Sequence, residues 1–89
     1  MATIYRADGR IETVEPANGT NFSLKELQEI VGGRIEICET VFTDEILVIN
    51  EEGKLLGLPI NRRATGLYKY GKIDPIVDDV LRCLDEEVQ

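Results

Sequence analysis

Apolar positions along the chain repeat with two different periods. Between residues 22 and 32 the period is helical: Leu24, Leu27, Ile30 and Val31 form one stripe. Ser23 precedes the stripe and Glu26 lies three residues on, the spacing of a capping box. Phe22 stands before the cap, where it can pack on Leu27 as a hydrophobic staple. Gly32 can end the helix because a left-handed residue there carries no Cβ penalty. The pattern predicts a helix over about 24–31, its stripe turned to the core.

Elsewhere the period is close to two. Asp8-Gly9 separates two short alternating runs and predicts a tight hairpin of strands 2–6 and 10–15. Pro16, Asn18 and Gly19 then mark a loop. RIEICETVF predicts a strand over 34–42, with Ile35 and Ile37 on one face and Glu36 and Cys38 on the other. EILVIN is apolar on both faces, as a central strand is. Asn50-Glu51-Glu52-Gly53 reads as a turn, and KLLGLPI (54–60) as a returning strand. Asn61 is a good N-cap for a second, short helix over about 62–70. Gly66 weakens that helix by roughly 1 kcal/mol relative to Ala, and Gly71 ends it. Asp74-Pro75 leads into a last strand, about 76–84, and the final five residues are expected to fray. The fold class is α+β: a single domain spanning 1–89, with a largely antiparallel sheet of five or six strands, one good helix and one short one.

Composition sets limits on function. The chain has 89 residues, 43% of them hydrophobic, enough to bury roughly 60–65% of its unfolded surface. The longest apolar run, ILVI at 46–49, is far too short to span a membrane. MATIYRADGR has no apolar signal-peptide core, so a cytoplasmic location is expected. Strand 46–49 needs cover on both faces, which predicts a homo-oligomer if one or two helices do not supply it. Cys38 and Cys83 are the only cysteines, and there is no histidine. This does not make a typical zinc site, so no metal or cofactor is assigned. A disulfide between the two stays open, although a cytosolic chain keeps such thiols reduced. Without histidine the commonest general base is missing, and no catalytic residue is assigned.

Charge changes the picture most. There are 17 acidic and 10 basic side chains, a formal net charge of −7. Such a balance argues against direct binding to nucleic acid or anionic membranes. Yet residues 53–73 contain no Asp or Glu, and they hold Lys54, Arg62, Arg63, Lys69 and Lys72, half of all the basic residues. If Asn61 caps the second helix, Arg62 and Arg63 face the positive end of its dipole, an unfavourable arrangement of about 0.3–1 kcal/mol each. A bound anion would reverse the sign. Asn61, Arg62, Arg63 and Thr65 then form a predicted phosphate pocket, with Tyr68 or Tyr70 as a stacking face and Lys69 adding charge. The alternative is that the two arginines pair with surface carboxylates or sit at an oligomer interface. No phosphate-cradling GxxxxGK[ST] loop is present. Asp78 and Asp79 are adjacent and would face opposite sides of a strand, so they make no carboxylate pair. Glu51-Glu52 and Asp85-Glu86-Glu87 read as solvated runs.

LQEIVGGRIEI (27–37), VINEEGKLLGLPIN (48–61) with RRAT (62–65), and DPIVDDVL (74–81) together resemble a family of small phage and mobile-element proteins, known chiefly as a domain of unknown function. The resemblance spans nearly the whole chain, and NEEGK-x-x-GLP-x-N is its most distinctive part. One departure is Asp78, where the family tends to have glycine. The resemblance supplies no catalytic residues. It implies a setting among accessory genes that blunt host defences. The expected function is therefore a non-enzymatic anti-defence protein that sequesters a small anionic ligand, such as a cyclic nucleotide immune signal. The alternative is an acidic inhibitor that mimics nucleic acid toward a host defence protein. An enzyme acting on nucleotides, relying on Asp, Glu or Tyr, is a third reading.

Overall fold

The computed structural model describes residues 2–88. Five antiparallel strands form one sheet: β1 (Ala2–Tyr5), β2 (Ile11–Val14), β3 (Ile35–Glu39), β4 (Glu45–Asn50) and β5 (Val80–Leu84). Their order is β2-β1-β5-β4-β3. Two sequence-local hairpins, β1–β2 and β3–β4, are thus joined edge to edge by the last strand, which pairs with both β1 and β4. The α+β class and the antiparallel sheet agree with the sequence pattern.

Helix α1 (Leu24–Val31) covers one face of the sheet. The capping box forms in full. The Ser23 hydroxyl accepts from the Glu26 amide at 3.2 Å, and the Glu26 carboxylate accepts from the Ser23 amide at 2.9 Å. These bonds, with a further one from the Ala17 amide, hold the Glu26 carboxyl below the usual carboxylate range. Gly32 closes the helix in the left-handed conformation, φ 82°. Leu27 and Val31 are buried with Ala2, Ile4, Phe22, Ile46, Val48, Leu81 and Cys83. Leu24 is not part of this core: it is exposed, and Phe22 fills the space over the sheet at that end.

The second face carries a separate cluster of Cys38, Leu47, Ala64, Ile76 and Val80, covered by α2 (Arg62–Leu67) and the chain around it. Alternate residues of β4 enter the two clusters, so Leu47 and Val48 are both fully buried within one chain. The cover expected from an oligomer is already supplied by α1 and α2. Cys38 and Cys83 belong to opposite clusters, on opposite faces of the sheet, and both are free thiols. Burial pushes Cys38 up to about 11 and Cys83 up to about 12.

Several elements depart from the sequence pattern. The predicted strand 54–60 does not form. Residues 51–57 are a chain of turns, with the Leu56 amide donating to the Glu52 carbonyl and the Leu58 amide to that of Gly53. The reason is topological: β3 and β5 occupy both edges of β4, so a strand returning from it cannot form a hairpin with it. Only Ile60 makes a bridge, to Val77, and Leu55 is left 88% exposed. The second helix stops at Leu67 rather than about 70, because Tyr68 turns extended and pairs with Thr40. The last strand begins at Val80 rather than 76, because Asp78 breaks the extension with φ 65°. The C-terminal residues do not fray: 85–88 form a 3-10 turn whose Glu87 carbonyl accepts from the Phe22 amide at 2.7 Å. Residue 89 lies outside the described residues. The strands read as 2–6, 10–15 and 34–42 are shorter, at 2–5, 11–14 and 35–39.

Across the sheet, Arg82 holds both carboxylate oxygens of Glu45, at 2.6 and 2.7 Å, and donates to the Tyr5 hydroxyl at 3.1 Å. This fork ties β5 to β4 and β1 together and keeps the Glu45 carboxyl lower than usual.

Two outcomes follow from this packing. Asp78→Gly should raise unfolding free energy by about 0.5–1 kcal/mol in urea titration, since glycine adopts φ 65° without strain. A loss of stability would mean that the side chain supports the turn. In alkylation with iodoacetamide at pH 8, both thiols should react at least a hundredfold more slowly in the native protein than in urea. Native rates within tenfold of the unfolded ones would contradict the burial.

Candidate functional site

The acid-free window folds over the second face of the sheet, and Asn61 fixes it there. Its side-chain oxygen accepts from the Ala64 amide at 3.1 Å, capping α2 as its type predicts. Its amide nitrogen donates to the carbonyls of Tyr5 at 2.7 Å and Asp78 at 2.8 Å. Its backbone amide donates to Ile76 at 2.8 Å. With all these bonds made and only 2% of the residue exposed, both side-chain N–H donors of Asn61 are spent within the fold. Thr65 is similarly engaged. Its hydroxyl donates to the Asn61 carbonyl at 2.8 Å and accepts from the Ile76 amide at 2.9 Å. The predicted pocket therefore loses two of its polar groups to the fold.

The remaining predicted residues separate to the two ends of α2. Arg62 and Arg63 are exposed at its start, beside a shallow hollow of about 290 Å³ shared with the β1–β2 turn. Neither guanidinium meets a carboxylate among the described residues, so the expected surface ion pairs are not formed within the chain. Arg6, in the same hollow, is held by Glu12 and Asp79, and its pKa is raised by them. Six residues span only about 9 Å and sum few peptide dipoles. The dipole argument is correspondingly weaker than the sequence suggests.

Tyr68, Lys69 and Tyr70 come together beyond the other end of α2. There a cleft of about 490 Å³ opens between Thr65, Gly66 and the loop from Tyr68 to Ile73, with Val41 on its rim. The loop is locked to the end of β3. The Lys69 amide donates to the Glu39 carbonyl at 3.1 Å, and the Val41 amide to the Leu67 carbonyl at 3.0 Å. Tyr68 and Tyr70 meet edge to face, with ring centroids 5.7 Å apart at 79°. Lys69 lies over the Tyr70 ring at 5.8 Å and pairs with Glu39 at 3.2 Å, which raises its pKa. Burial raises the Tyr68 phenol, so it stays protonated at neutral pH. Lys72 lines the cleft with no carboxylate partner among the described residues. No Asp or Glu lines it. The arrangement offers an aromatic wall, an apolar rim and one available cation. That suits binding a planar anion better than proton transfer.

Val41, Gly66, Gly71 and Ile73 were not among the residues that the sequence singled out for this site. Val41 comes from a separate hairpin, and only the tertiary fold brings it in. The two glycines differ in role. A Cβ on Gly71 would lie 2.0 Å from the Thr65 carbonyl oxygen, whereas one on Gly66 would meet nothing within 4 Å.

The contrast predicts opposite signs. Gly71→Ala should destabilise the protein by about 2–4 kcal/mol, and Gly66→Ala should stabilise it by about 1 kcal/mol. Asn61→Ala, which leaves buried carbonyls unpaired, should cost about 2–4 kcal/mol. Urea unfolding measures all three. A neutral Gly71→Ala would contradict the packing of the loop on α2.

No curated protein and no solved structure matches the chain. A family model described as "Domain of unknown function (DUF3846)" matches residues 3–88, almost the whole chain. The shared unit therefore includes the sheet, both helices and the cleft, and the chain belongs to this family of domains of unknown function.

Proposed function

We propose that the protein is a non-enzymatic binding protein for a small anionic ligand, seated in the cleft beside Tyr68 and Tyr70. The observation that carries this is the cleft's lining: two tyrosines and Lys72, which has no carboxylate partner among the described residues, with no carboxylate in the lining. In a chain of net charge −7, a cleft lined by no carboxylate, with an ammonium unpaired among the described residues, offers an anion little local repulsion. The volume lies in the range of small-molecule sites. The tyrosines offer ring faces and edges to a nucleobase. The lack of histidine in the sequence and of acids in the cleft supports a binder over a hydrolase.

The biological setting in this proposal is that of a phage or mobile-element accessory protein that withdraws a nucleotide-derived immune signal in the host cytoplasm. Its support is the sequence resemblance alone, an associational argument. Self-association belongs to the same proposal. Its support is the exposed apolar surface, with Leu55 at 88% and Ile73 at 83% exposure, since β4 is covered within one chain.

Isothermal titration with nucleoside monophosphates, cyclic dinucleotides and cyclic ADP-ribose isomers tests the reading. Tyr70→Ala with Lys72→Ala should weaken binding at least tenfold, about 1.4 kcal/mol. Arg62→Ala with Arg63→Ala should leave it within about twofold. If only the arginine variant loses binding, the ligand sits in the hollow by the β1–β2 turn instead. If no nucleotide gives heat, the proposal fails. Native mass spectrometry of protein purified from infected cells reads the oligomer and any carried ligand together.

A further inference from the structure

Gly66 has no reason in the fold to be glycine. It is the penultimate residue of α2, is exposed, and does not have positive φ. Its added Cβ would meet nothing within 4 Å, so no neighbour requires its absence. Alanine there would be a better helix former and would lose less backbone freedom on folding. Gly66 is itself one of the residues that line the cleft. The cleft therefore has, on its α2 side, a stretch of bare peptide backbone. Bare backbone allows close approach of a flat group, as glycine does where a ligand meets the main chain.

The charges of the same cleft limit the ligand further. Two cations line it, but Lys69 is already held by Glu39 at 3.2 Å. Lys72 alone is without a carboxylate partner among the described residues. One available ammonium matches one anionic group rather than two. Apart from Thr65, whose hydroxyl is bonded within the fold, and the two glycines, the rest of the wall is Val41, Tyr68, Tyr70 and Ile73, which suits a ring and not a second phosphate.

We infer that the cleft takes a planar aromatic ring against the bare backbone at Gly66, with a single anionic group reaching Lys72: the chemistry of a nucleoside monophosphate. This rests on the reading of the cleft as a ligand seat, and it narrows that reading from nucleotide-derived anions in general to ligands carrying one ring and one phosphate. Gly66 then acts as a specificity-determining position. Any side chain there fills the space of the ring while making the helix more stable.

Proton–nitrogen correlation spectra of the labelled protein, titrated with AMP, adenosine and ribose 5-phosphate, test the inference. AMP should shift the Gly66 and Gly71 amides, adenosine should shift the same amides at least tenfold more weakly, and ribose 5-phosphate should leave Gly66 unmoved. Gly66→Leu should raise the urea midpoint and abolish the AMP shifts, with Gly66→Ala intermediate. A Gly66→Leu protein that binds AMP as the wild type does would overturn the role of the bare backbone. Ribose 5-phosphate binding as tightly as AMP would overturn the inference and leave the anion reading standing. Adenosine binding as tightly as AMP would overturn the anion and keep the ring. Silence from all three probes would overturn both.

Discussion

Asn61 is the point on which the two halves of the molecule depend. One side chain, 2% exposed, caps α2, accepts from Ala64, and donates to carbonyls of β1 and of the turn before β5. The Asp78 carbonyl and the Ala64 amide lie outside the sheet ladders, so each would lose its side-chain partner if the amide were lost. The side chain has one acceptor oxygen and two donor hydrogens, and three bonds use them. Because Asn61 also hands its own backbone amide to Ile76, the start of α2, the approach to β5 and the end of β1 are set by one residue. The orientation of α2, and with it the cleft beyond its far end, follows from this fastening.

The sheet needs that fastening because of its connectivity. The two hairpins are local and cheap in loop entropy, but neither completes a core alone. The strand that joins them comes last in sequence and lies in the middle of the sheet. Between β4 and β5 the chain must leave one face, cross it, and return antiparallel. It does so through the turns at 51–57, α2 and the loop to Asp78. That excursion covers Leu47, Val80 and Cys38, so the acid-free window is at once the cover of the second core and the wall of the cleft. The left-handed Asp78 has its amide bonded to the Pro59 carbonyl and its own carbonyl bonded to Asn61. Such a conformation persists where neighbouring bonds over-determine it.

The electrostatics of the window were legible only in part. A count of charges finds the missing carboxylates but not their geometry. Along the sequence, Asn61, the arginines, Thr65 and the tyrosines form one short run, and helical spacing alone places them within a few turns. In space α2 separates the arginines from the tyrosines, and Lys69 turns to Glu39 on β3, a partner thirty residues away. Polar groups that sequence assigns to a ligand, the Asn61 amide and the Thr65 hydroxyl, satisfy buried backbone instead. A buried carbonyl without a donor is costly, and these side chains are the nearest donors.

What the sequence by itself determined was local: the capping box and glycine stop of α1, the Asp8-Gly9 hairpin, the doubly apolar β4, and the N-cap of α2. Each depends on residues within about five positions, where spacing and backbone preference act directly. The tertiary structure alone decided that both edges of β4 are taken, and so why 54–60 does not pair with it as a strand. It also decided that Tyr68 leaves the helix for Thr40, that residues 85–88 close over Phe22, and that the two cysteines face opposite cores. It brought Val41, Lys72 and Ile73 to one cleft. These outcomes turn on competition for hydrogen-bonding edges and buried volume between segments far apart in the chain, and periodicity carries no record of that competition.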